Sequence, residues 1–296
     1  MQNMKEDFDS LVAKTPLSEG VDRRGFLKTA FGTGFAAAVL PVAAQTMIKT
    51  DTNGLKAGEV SITVNGQKVP VYRAQPEGKT GLPVVLVVSE IFGVHEHIAD
   101  VARRFAKLGY LALAPDLFVR QGDPAKMASI PEIQKEIIAK VPDAQVMADL
   151  DACVAWAGDN GGNVDKLGIT GFCWGGRITW LYAAHNPKVK AGVAWYGRLV
   201  GDKSAQTPAH PVDIAGKLHA PVLGLYAGKD AGIPLETVEK MKGELAKDNG
   251  KGKSEFVIYP NAGHAFHADY RPSYAEADAK DAWQRCLAWF KANGVA

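Results

Sequence analysis

The chain has 296 residues, of which 47% are hydrophobic and 22% charged, and these globular proportions exclude a disordered or fibrous chain. A formal net charge of only +2 excludes the basic face that nucleic-acid binding requires, so we expect no nucleic-acid partner. The length favours one large domain with an appendage. We expect the protein to be a monomer. Three cysteines are too few for a disulfide scaffold or a cysteine-rich zinc site.

The predicted appendage is residues 1–44. Arg23 and Arg24 precede Gly-Phe-Leu-Lys and an uncharged stretch from Thr29 to Gln45, an order that resembles a twin-arginine export signal. The stretch is short and weakly apolar for a membrane-spanning helix, and small residues before Gln45 supply a cleavage site. The resemblance implies the twin-arginine export machinery as a partner and a periplasmic location. An uncleaved anchor and a buried N-terminal helix are the alternatives.

A linker at 45–58 leads to a domain at 59–296, whose first element is a predicted hairpin. Alternating apolar residues flank Asn65-Gly66, a pair that suits a type I′ turn. The β-branched run at 84–89 then predicts a central parallel strand, buried on both faces.

Strands and helices alternate from there to the C-terminus. The predicted strands are 110–114, 166–170, 189–195, 221–226 and 255–259, and the helical stretches are 97–108, 121–157 with breaks at Pro131 and Pro142, 178–184, 237–245 and 274–291. This alternation predicts an α/β fold with a doubly wound, mostly parallel sheet and helices on both faces.

The first candidate catalytic residue is Cys173, within Gly171-Phe-Cys-Trp-Gly-Gly176. This is the spacing of a nucleophile elbow with cysteine in place of serine, in which the flanking glycines allow a sharp turn from strand to helix. A helix N-terminus favours a thiolate there. A buried core cysteine beside a glycine-rich turn is the alternative.

An acid and a base follow in the chain order that α/β hydrolases use. Asp230 comes after the predicted strand at 221–226, and His264 comes after the strand at 255–259. His264 would accept the thiol proton, and Asp230 would orient the imidazole and stabilise its positive charge.

Five motifs together resemble the dienelactone hydrolase family, the carboxymethylenebutenolidases. They are SEIFG at 89–93, PDL at 115–117, GFCWGG at 171–176, GKD at 228–230 and GHAF at 263–266. The resemblance extends from about residue 59 to the C-terminus and implies an α/β-hydrolase fold with Cys173, Asp230 and His264 as a catalytic triad. It also implies that Glu90 helps to activate the thiol, and that the backbone N–H groups of Ile91 and Trp174 form the oxyanion hole.

The resemblance places a carboxylate-binding arginine at Arg120. The family's second arginine is replaced by Ala268, and Arg271 is a weaker candidate for that role because a solvated surface arginine is the usual case. The resemblance implies a small ester or lactone as the substrate, and the replacement at Ala268 leaves the identity of the natural substrate open. Glu90 has an alternative role in a structural ion pair.

The remaining histidines and cysteines suggest no metal and no cofactor. His95, His97 and His267 lack the spacing of a helical zinc motif, and Cys153 and Cys286 lie among apolar residues, as core thiols do. The sequence therefore predicts a hydrolase that forms an acyl-enzyme on Cys173. A broad esterase or thioesterase and a catalytically silent periplasmic binding protein are the other hypotheses.

Overall fold

The computed structural model of the protein describes residues 47–247 and 253–296. The predicted export signal at 1–44 lies outside these residues. Within them, no helix combines the length and the apolar character needed to cross a membrane.

The core of the fold is one eight-stranded sheet with the order β1-β2-β4-β3-β5-β6-β7-β8. Its strands are β1 (Leu55–Val64), β2 (Gln67–Pro76), β3 (Leu82–Val88), β4 (Leu111–Pro115), β5 (Gly162–Phe172), β6 (Val189–Trp195), β7 (Val222–Ala227) and β8 (Glu255–Tyr259). The strands from β3 to β8 are parallel, and only the β1–β2 and β2–β4 pairs are antiparallel. This confirms the predicted α/β-hydrolase fold.

The first hairpin has the predicted tight turn, but it begins earlier than expected. Asn65 and Gly66 have φ values of 49° and 79°, the two left-handed residues of a type I′ turn. Leu55 pairs with Pro76 at the open end of the hairpin. The strand therefore starts at Leu55, inside the predicted linker at 45–58, because the antiparallel ladder with β2 continues to that residue.

The α-helices in the described ranges are α1 (Glu96–Lys107), α2 (Ile130–Glu136), α3 (Asp143–Asp159), α4 (Trp174–His185), α5 (Leu235–Ala246) and α6 (Glu276–Ala292). The predicted helical stretch at 121–157 thus contains two α-helices. Pro131 lies in the first turn of α2 and Pro142 directly precedes α3. Both prolines mark helix starts, where the missing N–H removes no helical hydrogen bond.

Strand β3 is buried on both faces, as predicted. Val85 and Val87 pack in a hydrophobic cluster with residues of α1 and α6. Val84 and Leu86 point to the opposite face and pack in a second cluster with residues of α3. Because the sheet is covered on both sides, the polar residues that follow its strands meet at its carboxyl edge.

Cys153 and Cys286 are core thiols, as the sequence indicates. Cys153 belongs to the cluster on the α3 face, whereas Cys286 belongs to the cluster on the α1 and α6 face. The sheet separates them, so they cannot approach within the roughly 7 Å that a disulfide requires. Burial raises the pKa of both thiols, and the charge of Asp149 adds to this effect at Cys153.

Candidate active site

Cys173 lies at a sharp turn between β5 and α4. Its φ of 55° and ψ of −112° are strained for a residue with a side chain, and its N–H donates a hydrogen bond of 2.9 Å to the carbonyl oxygen of Trp195. A Cβ on Gly171 would lie 2.2 Å from the Gly175 carbonyl oxygen, and one on Gly175 would lie 2.4 Å from the Val88 carbonyl oxygen. Glycine at both positions therefore allows the backbone contacts that hold the turn.

His264 connects Cys173 and Asp230. Its Nδ1 lies 2.6 Å from Oδ2 of Asp230, whose other carboxylate oxygen accepts hydrogen bonds from the N–H groups of Gly232 and Ile233. Burial opposes protonation of His264. The charge of Cys173 and hydrogen bonds to Asp230 and Cys173 outweigh it and raise the pKa of His264 to about 10. These interactions bring together the three residues that the sequence predicts as a catalytic set.

The two predicted oxyanion-hole donors belong to segments that meet at the same place. Trp174 is the first residue of α4, so its N–H has no acceptor within the helix. Ile91 follows β3 in the adjoining loop. The first turn of α4 packs directly on the end of β3, because a Cβ on Gly175 would also lie 2.6 Å from the Ser89 carbonyl oxygen.

Glu90 is buried and pairs with a histidine. Only 1% of the residue is exposed, and its Oε2 lies 3.2 Å from Nε2 of His95. Burial opposes ionisation, but the hydrogen bond to His95 and the nearby charge of His97 outweigh it and lower the pKa of the carboxyl group. Glu90 thus forms a pair with His95 beside the thiol instead of the arginine or lysine pair considered as its alternative role.

His97 and His267 lie in a polar cluster next to the pair of Glu90 and His95. His97 is 3.1 Å from Asp269, which also binds Arg104 at 2.5 Å. Burial opposes ionisation of Asp269, yet these two partners lower its pKa to about 2. Burial, with the charges of His97 and Arg104, lowers the pKa of His267 well below its usual value. In the described part of the chain, no group of three or more histidine, cysteine or acidic residues is arranged to hold a metal ion.

Arg120 has a partner that the sequence did not indicate. Its guanidinium forms a bidentate ion pair with Asp149 of α3, with distances of 2.7 and 2.8 Å, and its Nε donates to Gln67. Asp149 is 1% exposed, and burial raises its pKa more than Arg120 lowers it. The charge on Arg120 therefore already compensates a buried carboxylate.

Arg271 is buried, which corrects the expectation of a solvated surface residue. It is 6% exposed, and its guanidinium carbon lies 5.9 Å from the centre of the Phe92 ring. Burial, followed by the charge of Glu90, raises the pKa of Tyr196 and of Tyr270 well above its usual value; the charge of Cys173 adds to this effect, and the positive charge of Arg271 opposes it. Arg271 is therefore a cation of the site itself.

Two tyrosines complete the wall around the thiol. Tyr196, which directly follows β6, has a φ of 38°, and its ring lies 5.1 Å from the ring of His264. The ring of Tyr270 lies 5.0 Å from that of His95. Tyr270 and the pairing of His95 were missed by the sequence analysis, and no local motif marks either of them.

Comparisons with known proteins identify one family to which the chain is similar over most of its length. A family model described as the dienelactone hydrolase family matches residues 69–294. A predicted carboxymethylenebutenolidase of Methylorubrum extorquens is 60% identical over 291 residues, which are 98% of each chain. One from Escherichia coli strain K12 is 57% identical over 263 residues, covering 88% of this chain and 96% of the relative. The crystal structure of a predicted dienelactone hydrolase from Klebsiella pneumoniae is 60% identical, with a TM-score of 0.78 over 80% of this chain and 98% of that one.

Proposed function

The chain belongs to the dienelactone hydrolase family and is a hydrolase of esters or lactones, and on this basis we propose that Cys173, His264 and Asp230 form its catalytic triad. The observation that carries the proposal is the placement of His264 between the other two residues. A raised pKa keeps the imidazole protonated at neutral pH, which is the state that stabilises a thiolate partner.

In the first half-reaction, the Cys173 thiolate attacks the carbonyl carbon of the substrate. The N–H groups of Ile91 and Trp174 stabilise the resulting oxyanion. The tetrahedral intermediate then breaks the bond to the alkoxide, which takes the proton from Nε2 of His264, and a thioester on Cys173 remains. With a lactone, the released hydroxyl stays attached to the acyl group.

In the second half-reaction, water attacks the thioester. His264 accepts a proton from the water, the second tetrahedral intermediate expels the Cys173 thiolate, and the carboxylic acid leaves. The charge of Asp230 stabilises the imidazolium in both halves. The buried charge of Glu90 opposes a second negative charge nearby, and we assign it a role in controlling when the thiol ionises.

We assign the substrate a carboxylate that Arg271 binds. The name of the relatives describes a carboxymethylenebutenolide, which is a lactone bearing a carboxylate. A buried guanidinium beside the thiol suits such a group, because it can donate two parallel hydrogen bonds. No observation favours a silent binding protein, and a broad esterase is the outcome if the charge of the substrate proves irrelevant.

Alkylation and substitution of the nucleophile test the mechanism. Iodoacetamide should label Cys173 alone and abolish ester hydrolysis, because Cys153 and Cys286 are 1% and 0% exposed. The Cys173→Ala protein should fold, fail to hydrolyse p-nitrophenyl acetate and take up no label. Hydrolysis by Cys173→Ala, or inactivation with the label on Cys153 or Cys286, would show that the nucleophile is another residue.

A further inference from the structure

Three buried oxygen atoms beside the thiol have no hydrogen-bond partner among the residues that the structure describes. They are the hydroxyl oxygens of Tyr196 and Tyr270 and Oε1 of Glu90. The exposed fractions of these residues are 0%, 8% and 1%. An unpartnered buried polar group destabilises a fold, so native proteins retain few of them. Three at one place indicate a binding site for a polar group.

The three residues lie close together, because the charges of Glu90 and of Tyr270 both act on Tyr196. Tyr196 packs against His264, and Tyr270 packs against His95, which holds the other oxygen of Glu90. Burial, followed by the charge of Glu90, raises the pKa of both tyrosines well above its usual value, and the charge of Cys173 adds to this effect. Both hydroxyls are therefore neutral donors close to an ionised carboxylate and to the nucleophile.

We propose that Tyr196, Tyr270 and Glu90 form a polar subsite that binds a hydroxyl group on the acyl part of the substrate, next to the carbonyl that Cys173 attacks. This inference rests on the proposed function, because that function defines which part of the substrate becomes the acyl group. Among the esters and lactones that the site accepts, those with such a hydroxyl are then the better substrates.

A hydroxyl group fits this set of atoms better than other substituents. It donates a hydrogen bond to Oε1 of Glu90, which as a carboxylate oxygen only accepts, and it accepts one from a tyrosine O–H. A hydrogen or methyl group would leave all three oxygens unpartnered. A carboxylate would place a second negative charge against Glu90.

Phenyl glycolate and phenyl acetate test the subsite, because they differ only by a hydroxyl on the acyl carbon next to the carbonyl. The measured quantity is the ratio of kcat/KM for the two esters, from release of phenol. Comparing this ratio between variants cancels the intrinsic reactivity of the esters. Tyr270→Phe and Tyr196→Phe should each lower the preference for glycolate by roughly twofold to tenfold, the value of one neutral hydrogen bond.

Stability provides a second readout. Removal of an unpartnered hydroxyl should leave the thermal unfolding temperature of Tyr270→Phe unchanged or higher. The matched control is Tyr182→Phe, because the Tyr182 hydroxyl donates to Asp151 and accepts from Asn186, both at 2.9 Å, on the α3 face of the sheet. This control should lose stability and keep the glycolate preference.

Two results would overturn the proposal and are distinguishable from each other. If neither tyrosine variant changes the ratio while hydrolysis still depends on Cys173, the subsite is refuted and the proposed function stands. If the Cys173→Ala protein hydrolyses both esters, the proposed function fails and the subsite fails with it.

Discussion

Replacement of Asp230 by asparagine should move the alkaline limit of the reaction. The carboxylate of Asp230 has a side chain only 2% exposed and lies 2.6 Å from Nδ1 of His264. A hydrogen bond to a charged group contributes about 1.5–3 kcal/mol, which at 1.36 kcal/mol per unit corresponds to about 1–2 pKa units. The pKa of His264, about 10 in the unaltered protein, should therefore fall to about 8–9 in Asp230→Asn.

The direction of the effect follows from the role of the proton. His264 must be protonated to donate to the alkoxide, so kcat/KM falls as the pH rises through its pKa. A lactone such as γ-valerolactone shows this limit, because its alkoxide cannot leave without a proton, and a pH-stat records the acid released. p-Nitrophenyl acetate is the internal contrast, since p-nitrophenolate leaves without protonation and its alkaline limit should be weak.

The matched control is Asp151→Asn. Asp151 also pairs with a histidine, His185 at 2.8 Å, but its side chain is 44% exposed and lies away from the thiol. This variant should keep the alkaline limit near pH 10. An unchanged alkaline limit in Asp230→Asn would refute the reasoning, because the carboxylate would then not control the proton on His264.

Three other predictions concern charged residues. Arg271→Ala should lower kcat/KM for an acidic lactone about tenfold to a hundredfold relative to a neutral ester of similar size. Arg120→Ala should reduce stability without changing the ratio of kcat/KM for the two substrates. Equal losses on both substrates in Arg271→Ala would make Arg271 a structural residue. The pKa of Asp269 is lowered from 3.8 to about 2, so its contribution to stability is present above about pH 3.8 and lost as the pH falls through 2. Asp269→Asn should therefore lower the free energy of unfolding in urea by about 3 kcal/mol at pH 7 and by much less near pH 2. Replacement of Arg23 and Arg24 by lysine should retain the protein in the cytoplasm, and unchanged recovery from the periplasm would contradict the export signal.

The sequence could predict the fold and the positions of Cys173, Asp230 and His264 for one physical reason. Each of these residues follows a strand of a parallel sheet, and the carboxyl ends of such strands converge at one edge. The apolar pattern alone predicts a helix only from residue 178, because Gly175 and Gly176 are poor helix formers, and the elbow motif was needed to predict a start next to Cys173. Contacts with the backbones of β3 and β6 fix that start.

Partners that lie far apart in the sequence escaped prediction. Arg120 pairs with Asp149, 29 residues away, because α3 crosses the sheet beside the loop after β4. Arg271 lies over the ring of Phe92, which belongs to the loop after β3 and is distant in the sequence. His95 is only five residues from Glu90, but their pairing depends on the direction in which the chain enters α1. Such pairings depend on how helices pack on the sheet, which local sequence patterns do not encode.

The way in which the turn at Cys173 is held makes neighbouring positions differ in the substitutions that they tolerate. The turn is held by contacts between backbones and by the hydrogen bond from the Cys173 N–H to Trp195, none of which uses the cysteine side chain. Position 173 should therefore accept many residues without unfolding, and glycine there should even increase stability by relieving the positive φ. Gly171 and Gly175 have no side chain to take part in catalysis, yet should accept no other residue, because a Cβ there would clash with the backbone. In a library of variants selected first for folding and then for activity, many residues at position 173 should pass the first selection but fail the second. Substitutions of Gly171 or Gly175 should already fail the first selection.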